Sequence, residues 1–208
     1  MGVSRINGQS LGRKGMETRR RLLAVGRQLL ADVSPFQLTS VSICREAGLT
    51  AAAFYAYFPS LDDFLYALAE EVTQLLEDAD IGYLHDPADL DAAIARLIDD
   101  IFAMHREHRP ILQYRNVKAE QSEERFLALR TRASLPRIRM IADLVRAQGR
   151  DGAAITKSTA IARAVFINAA MESLSLFALQ PFEKEQSVGW QKIRETQIYS
   201  IGILLRHG

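Results

Sequence analysis

Hydrophobic residues recur every three or four positions along most of this 208-residue chain, which is the spacing of one face of an α-helix. The sequence has no sustained alternation of apolar and polar residues and no internal repeat, so the pattern predicts an all-α fold. The predicted helices cover about residues 16–32, 40–47, 51–57, 61–78, 88–107, 110–117, 121–148, 155–179 and 187–206. Pro110, Pro136, Gly149 and Pro181 mark breaks or kinks in this series.

The segment 40–57 has the composition of two short helices joined by a tight turn. Gly48 can adopt the left-handed backbone conformation that ends a helix, and Thr50 can cap the helix that follows. Phe54 and Phe58 share one face of the second helix, so that face is expected in the core. Two short amphipathic helices at this spacing are typical of a helix-turn-helix, whose second helix enters the major groove of DNA.

The same stretch resembles the DNA-binding segment of the TetR family of bacterial repressors. The matching residues are Thr39, Ile43, Ala47-Gly48-Leu49-Thr50 and Phe54-Tyr55-Ala56-Tyr57-Phe58. Three positions depart from the family pattern. Ser40 fills an apolar position, Cys44 replaces a small alanine, and Pro59-Ser60-Leu61 stands where the family often has a basic residue.

The resemblance implies an architecture of about nine helices. In the family, three small N-terminal helices bind DNA, and a larger C-terminal bundle encloses a ligand pocket and dimerises through its last two helices. Applied to this chain, the family architecture predicts a DNA-binding domain over residues 16–60 and a ligand-binding and dimerisation domain over 61–208. Residues 1–15 are expected to form a flexible basic arm. A weaker similarity, in the segments 108–115 and 124–126, is to family members that govern fatty-acid and lipid genes.

The charge distribution agrees with one DNA-binding end. Residues 1–60 carry eight arginines and lysines against three acidic residues, a net charge of +5, whereas the whole chain carries only +1. A basic end on an acidic body suits a protein that binds phosphate at one end.

The candidate DNA-contact residues lie on the first three helices. They are Arg19, Arg20, Thr39, Arg45, Thr50, Ala51, Ala52, Ala53, Tyr55 and Tyr57. The three alanines can touch thymine methyl groups and allow close approach, and Thr50 can reach a phosphate. By resemblance, Tyr55 and Tyr57 contact the DNA backbone or nearby bases. Arg45 is a candidate for guanine, or else forms a surface ion pair.

Two groups of basic residues leave alternatives open. Arg19, Arg20 and Arg21 spread over about 300° of a helix, so only one or two of them can face DNA. Arg5, Arg13 and Lys14 are expected on the arm, where they either enter a minor groove or belong to a tail without function.

A small-molecule effector and a second subunit are the other expected partners. Residues that could line a ligand pocket are Phe102, His105, Tyr114, Met140, Asn168 and Met171, with Glu172 as a second polar anchor; alternatively they fill a solid core. The helix over 155–179 is apolar around most of its circumference and must be covered on more than one side. The candidate dimer residues are Phe166, Ala169, Ala170, Trp190, Ile193, Ile201 and Leu205.

Other functional classes have little support. No apolar run approaches the ~18 residues of a membrane span, the first residues lack an apolar signal core, and a single cysteine excludes an internal disulfide. We therefore expect a cytoplasmic protein without membrane attachment, metal or cofactor. His105 and His108 have a spacing that permits two metal ligands, but no second cluster completes a site. An enzyme, a helical binding protein without DNA function, and a redox- or metal-sensing regulator remain alternatives.

Overall fold

The computed structural model describes residues 5–6, 9–10, 12–85, 87–147, 155–178 and 188–206. The helices are α1 (Arg13–Leu29), α2 (Ser40–Glu46), α3 (Ala51–Tyr55), α4 (Leu61–Glu77), α5 (Leu90–Glu120), α6 (Glu124–Ala147), α7 (Lys157–Ala178) and α8 (Trp190–Arg206). A 3₁₀ turn covers Gly82–Leu84, and two-residue strands β1 (Arg5–Ile6) and β2 (Gln9–Ser10) pair antiparallel. The predicted all-α fold is confirmed.

Two element boundaries differ from the sequence prediction. Helix α1 begins at Arg13, so Arg13 and Lys14 lie in its first turn rather than in the arm. The first turn of α1 contains mainly polar residues, so the sequence shows no periodic spacing of hydrophobic residues there from which a helix could be predicted. The predicted helices over 88–107 and 110–117 form one kinked helix, α5, which reduces nine predicted helices to eight among the described residues.

The kink in α5 lies at His108, where φ is −112° and ψ is 19°. Pro110 explains it, because proline has no N–H to donate back along the helix and its ring crowds the preceding turn. Pro136 is also inside a helix, α6. Gly149 and Pro181, expected to end helices, lie outside the described residues, as do residues 1–4, 7–8 and 11 of the predicted arm.

The chain divides into two compact units. The first consists of Met1–Gln74 with Pro110–Arg130, and the second of Leu75–Arg109 with Thr131–Gly208. The unit that contains α2 and α3 therefore also includes the last third of α5 and the start of α6. Tyr114 and Phe126 from this segment pack edge to face, with ring centroids 5.7 Å apart.

An aromatic cluster forms the core of the first unit under α3. Phe54, Phe58 and Phe64 are all at most 2% exposed, and their ring centroids lie 4.9–5.5 Å apart. Edge-to-face and tilted ring pairs of this kind add stability beyond the burial of their area. Because Phe54 belongs to α3 and Phe64 to α4, the cluster holds α3 in a fixed orientation.

The core of the second unit is formed by α5, α6, α7 and α8. It includes Ile98, Val145, Ala164 and Met171, all at most 1% exposed. Asp99 of α5 accepts two hydrogen bonds from Arg194 of α8, at 2.6 and 2.7 Å. This bidentate pair ties the two helices together at the edge of the core.

Helix α7 is apolar on two opposite faces. Ala160, Ala164 and Ile167 face the core, whereas Val165 and Phe166 are 47% and 62% exposed. In length and composition α7 also qualifies as a candidate membrane span, and a third of its most apolar window is buried in the protein. Its outer face requires a cover, because large contiguous apolar patches are uncommon on soluble monomers.

Candidate nucleic-acid interface

Thr39 begins α2 as a capping residue. Its Oγ accepts a hydrogen bond from the Ser42 N–H at 3.1 Å, and the Ser42 Oγ accepts one from the Thr39 N–H at 3.3 Å. This reciprocal pair satisfies two backbone donors at the start of the helix. Thr39 is exposed, so a contact with DNA would have to coexist with its role as a cap.

The turn between α2 and α3 depends on Gly48. Its φ is +62°, the left-handed conformation predicted from the sequence, and the N–H of Leu49 donates to the Cys44 carbonyl at 2.8 Å. Thr50 is the N-cap residue of α3, as predicted, and its carbonyl accepts the Ala53 N–H at 2.9 Å, but its side chain makes no capping hydrogen bond to α3. The Thr50 hydroxyl is therefore available to a phosphate.

Helix α3 has one buried and one open face. Phe54 is fully buried, whereas Ala51 and Ala52 are exposed and Tyr55 is 56% exposed. The Tyr55 hydroxyl lies 3.3 Å from the Ser40 Oγ, which links α3 to the first turn of α2. Helix α3 thus presents a narrow surface of small side chains beside a tyrosine hydroxyl.

Three arginines of the first unit are exposed on α1 and α2. Arg20 and Arg21 extend from α1 and Arg45 from the last turn of α2. The Arg21 guanidinium lies beside Gly48, since a Cβ built on that glycine would be 3.4 Å from it. Arg21 was one of the three α1 arginines of which the sequence predicted that one or two face DNA, whereas Ser40 was not among the predicted contact residues.

Arg19 differs from its neighbours because it is folded onto the protein. Its guanidinium lies over the Phe58 ring, 4.9 Å from the centroid. Burial lowers the pKa of Arg19, while the charges of Glu71 and Glu70 raise it. Of the two predicted phosphate ligands on α1, Arg20 is the more available.

Three further residues of the helix-turn-helix segment are half-buried or buried. Ala53 and Tyr57 are half-buried at the edge of α3, and Cys44 is 1% exposed. Burial raises the pKa of the Cys44 thiol, with a backbone hydrogen bond at Phe54 opposing it. A buried thiol with a raised pKa favours a packing role over redox sensing.

Five of the six predicted ligand residues belong to the second unit, and Tyr114 belongs to the first. Phe102 stacks on Trp190 at 3.7 Å between centroids, and the buried His105 has its Nδ1 2.9 Å from the Ile101 carbonyl oxygen. Met140 and Met171 pack in the core of the second unit.

Asn168 and Tyr114, two of the polar candidates, each make a side-chain hydrogen bond within their own unit. Asn168 accepts a hydrogen bond from the Arg137 Nε at 2.7 Å in the second unit. Tyr114 belongs to the first unit, where it donates to Asp62, and burial followed by the charge of Glu123 raises its pKa to about 12.

A cavity of about 350 Å³ lies in the second unit among the end of α4, α5 and α6. Its volume is within the range of small-molecule sites. It is lined by Leu76, Glu77, Ala79, Asp80, Ile81, Arg96, Leu97, Asp100, Ile101, Ala103, Met104, Glu107, Ala133, Pro136 and Arg137. None of the six predicted ligand residues lines this cavity, although Asn168 and Glu172 hold its residue Arg137 in place.

Three of the predicted dimer residues lie in the core of the protomer. Ile193, Ile201 and Leu205 are at most 6% exposed, whereas Phe166 and Ala169 are exposed. An apolar stripe in the sequence does not distinguish a core face from an interface face. Within the described part of the chain, no three His, Cys, Asp or Glu side chains are placed to hold a metal ion.

Comparisons with known proteins extend these observations. No family model matches the chain, and no curated protein matches it in sequence. Solved structures similar to it include a TetR-family regulator from Streptomyces coelicolor, with 18% identity, a TM-score of 0.67 and coverage of 93% of this chain and 82% of that one. The MbdR regulator from Azoarcus sp. CIB has 17% identity and a TM-score of 0.61, covering 90% and 97%.

A TetR/AcrR-family regulator from Thermobifida fusca has 16% identity and a TM-score of 0.59, covering 92% of this chain and 98% of that one. At such low identities the likeness concerns the fold. The chain has the fold of TetR-family transcriptional regulators.

Proposed function

We propose that this protein is a homodimeric transcriptional regulator of the TetR type, most simply a repressor, that binds a palindromic operator through α2 and α3. The observation that supports this most is the open face of α3, where Ala51, Ala52 and Tyr55 are exposed over a core anchored by the fully buried Phe54. Small side chains allow a helix to approach base edges, and the N–H groups at its start attract phosphate.

Positive charge in the N-terminal segment favours DNA as the partner of this face. Arg20, Arg21 and Arg45 are exposed on α1 and α2, within a segment whose net charge is +5. Arginines that neutralise phosphates release counterions, and this release drives binding to duplex DNA. A guanidinium at the position of Arg45 also has the geometry to recognise guanine.

A second copy of the chain is the proposed cover for the outer face of α7. Ile161, Val165, Phe166 and Phe177 lie along that face at helical spacing and are 41–62% exposed. Tyr199 and Ile203 of α8, 72% and 40% exposed, extend the apolar surface. A two-fold dimer would bury it and would present two α3 helices to two half-sites of DNA.

The cavity in the second unit is the proposed effector site. Helix α4 contributes Phe64 to the core under α3, and the same helix contributes Leu76 and Glu77 to the cavity wall. An effector that prefers one position of α4 would bias the DNA-binding conformation; equal affinity for both positions would change nothing.

The test measures the affinity for duplex DNA at a series of salt concentrations. The fluorescence anisotropy of labelled DNA reports the binding. We expect log affinity to fall linearly with log salt, by about 0.9 per phosphate neutralised. A matched titration of Arg20→Ala should give a shallower slope. Binding that does not depend on salt, or no duplex binding at low salt, would contradict the proposal.

A further inference from the structure

We propose that the cavity of the second unit selects an amphipathic organic cation, with an alkyl or aryl body and one positive charge. This inference rests on the proposed function, because it specifies the class of effector. It depends on two features of the cavity. Its wall is apolar, and among the described residues its arginines each have an acidic partner, whereas Asp80 and Glu107 have no lysine or arginine partner.

The wall of the cavity is mainly hydrocarbon. Leu76, Leu97, Ile101, Met104 and Pro136 line it from three helices. Burial of an apolar ligand body against such a wall is favourable, because it removes hydrocarbon surface from water. The wall therefore selects a ligand with a hydrocarbon portion but does not determine its charge.

The deepest arginine of the cavity is already neutralised. Arg137 is 7% exposed; its Nε donates to Asn168 at 2.7 Å and one terminal nitrogen donates to Glu172 at 2.5 Å. Burial lowers the pKa of Arg137, and the charge of Glu172 opposes that shift. An anionic ligand at this point would have to displace the Glu172 carboxylate or share its partner.

The other two arginines near the cavity are paired in the same way. Arg96 lies over the Tyr83 ring, 3.9 Å from its centroid, and 3.8 Å from Asp100, which also accepts the Tyr83 hydroxyl. Arg132 donates two hydrogen bonds to Glu77, at 3.0 and 2.8 Å. The positive charge on the cavity wall is therefore compensated from within the protein.

Asp80 and Glu107 supply the excess negative charge. Asp80 accepts the Gly82 N–H at 2.9 Å, a neutral donor that leaves its charge uncompensated. The Glu107 carboxylate, on a side chain that is 74% exposed, lies 3.7 Å from the His108 Nε2. The lining residues and their partners comprise five acids and three arginines, a net charge of −2. A cation entering an apolar pocket beside two such carboxylates gains attraction, and an anion meets repulsion.

The experiment measures the affinity of the full-length protein for three probes of equal alkyl chain length by isothermal titration calorimetry. They are decyltrimethylammonium, decanoate and decanol, all below micelle-forming concentration and at pH 8, where imidazoles are ordinarily neutral. We expect decyltrimethylammonium to bind at least about tenfold more tightly than decanoate, a difference of about 1.4 kcal/mol. Decanol should lie between them.

Three variants assign the effect to this cavity. Asp80→Asn combined with Glu107→Gln should reduce the preference for the cation over the anion to about threefold or less, whereas Asp143→Asn, a matched change at an exposed acid of α6, should leave it unchanged. Ala103→Trp, at an exposed wall position, should weaken decyltrimethylammonium and decanol alike.

Equal or tighter binding of decanoate, a preference that survives the double variant, or no binding of any probe would overturn the cation proposal. Duplex binding of the same protein is measured separately. A protein that binds DNA but prefers the anion would overturn only this inference, and a protein that binds the cation but no DNA would overturn only the proposed function.

Discussion

Gly26 of α1 lies directly against the ring of Phe64 of α4. A Cβ added at Gly26 would be 2.7 Å from the Phe64 Cε1 and closer still to Cζ, and the ring is fully buried. The absence of a side chain at Gly26 therefore sets the distance between α1 and α4. Because Phe64 belongs to the aromatic cluster under α3, this distance also positions the proposed recognition helix.

The first prediction is that Gly26→Ala destabilises the protein by about 1–2 kcal/mol. Overpacking costs about 1–3 kcal/mol, and the better helix propensity of alanine returns up to about 1 kcal/mol. The change in the free energy of unfolding is measured by urea titration with circular dichroism as the readout. Gly189→Ala, at a glycine whose added Cβ would meet nothing within 4 Å, is the control. In the Gly26→Ala background, Phe64→Leu should restore part of the loss; an unaltered stability of Gly26→Ala would contradict the packing argument.

The second prediction separates base recognition from phosphate contact. Arg45→Ala should relax sequence preference at one base pair in each half-site and cost about 1–3 kcal/mol there. Tyr57→Phe should weaken binding to all sequences alike, because a hydroxyl on the DNA backbone carries no base information. Affinities for a set of single-base operator variants measure both effects. If Arg45→Ala lowered all affinities equally, Arg45 would be a phosphate ligand.

The third prediction concerns the dimer. Val165→Arg and Phe166→Arg should each give folded monomers, because the side chains are exposed in the protomer but would bury an unpaired charge in the interface. Sedimentation at micromolar concentration measures the assembly. Leu127→Arg, at a side chain 41% exposed in the first unit, should leave the dimer intact. By contrast, Ile201→Glu should unfold the protomer, since Ile201 is 5% exposed; a monomeric wild type would refute the dimer itself.

The fourth prediction is a pH dependence of stability. The hydrogen bonds from Arg132 lower the pKa of Glu77 below its ordinary 4.5. A depressed folded-state pKa contributes stability that is present above the unfolded pKa and is lost as the pH falls through the folded one.

At pH 7, Arg132→Gln should be less stable than the wild type by about 0.5 kcal/mol, a small value because the Arg132 side chain is 43% exposed. Urea midpoints of both proteins measured from pH 7 to pH 3 should converge below about pH 4. A difference that stays constant over this range would show that Glu77 is not responsible.

The helix-turn-helix could be predicted from the sequence because its determinants are local. Gly48 permits one backbone conformation, and Phe54 and Phe58 mark one helical face within five residues. The kink in α5 was also marked locally, by Pro110, but the sequence did not show that the helix continues through it. The start of α1 was predicted three residues late, because apolar spacing becomes visible only further along the helix.

The position of the cavity could not be predicted because it depends on distant segments of the chain meeting. Tyr114 belongs to the first unit, whereas the residues of α5 that precede Pro110 belong to the second. Helical spacing alone could not show that Tyr114 and those residues belong to different units. Arg137 is polar in the sequence, yet in the structure Asn168 and Glu172 bind it in the interior. The apolar residues of α7 and α8 look alike in the sequence whether they face the core or the solvent. Only the packing in the structure shows that Ile201 faces the core.

The central claim is that α2 and α3 read a two-fold operator in duplex DNA. It is tested most directly by selection of bound duplexes from a pool of random sequences, with sequencing of the enriched fraction. The account predicts an inverted repeat, with half-sites about one helical turn apart from centre to centre and loss of one base preference in each half-site for Arg45→Ala. Failure to enrich any sequence over the starting pool, or enrichment of a single site without two-fold symmetry, would contradict it.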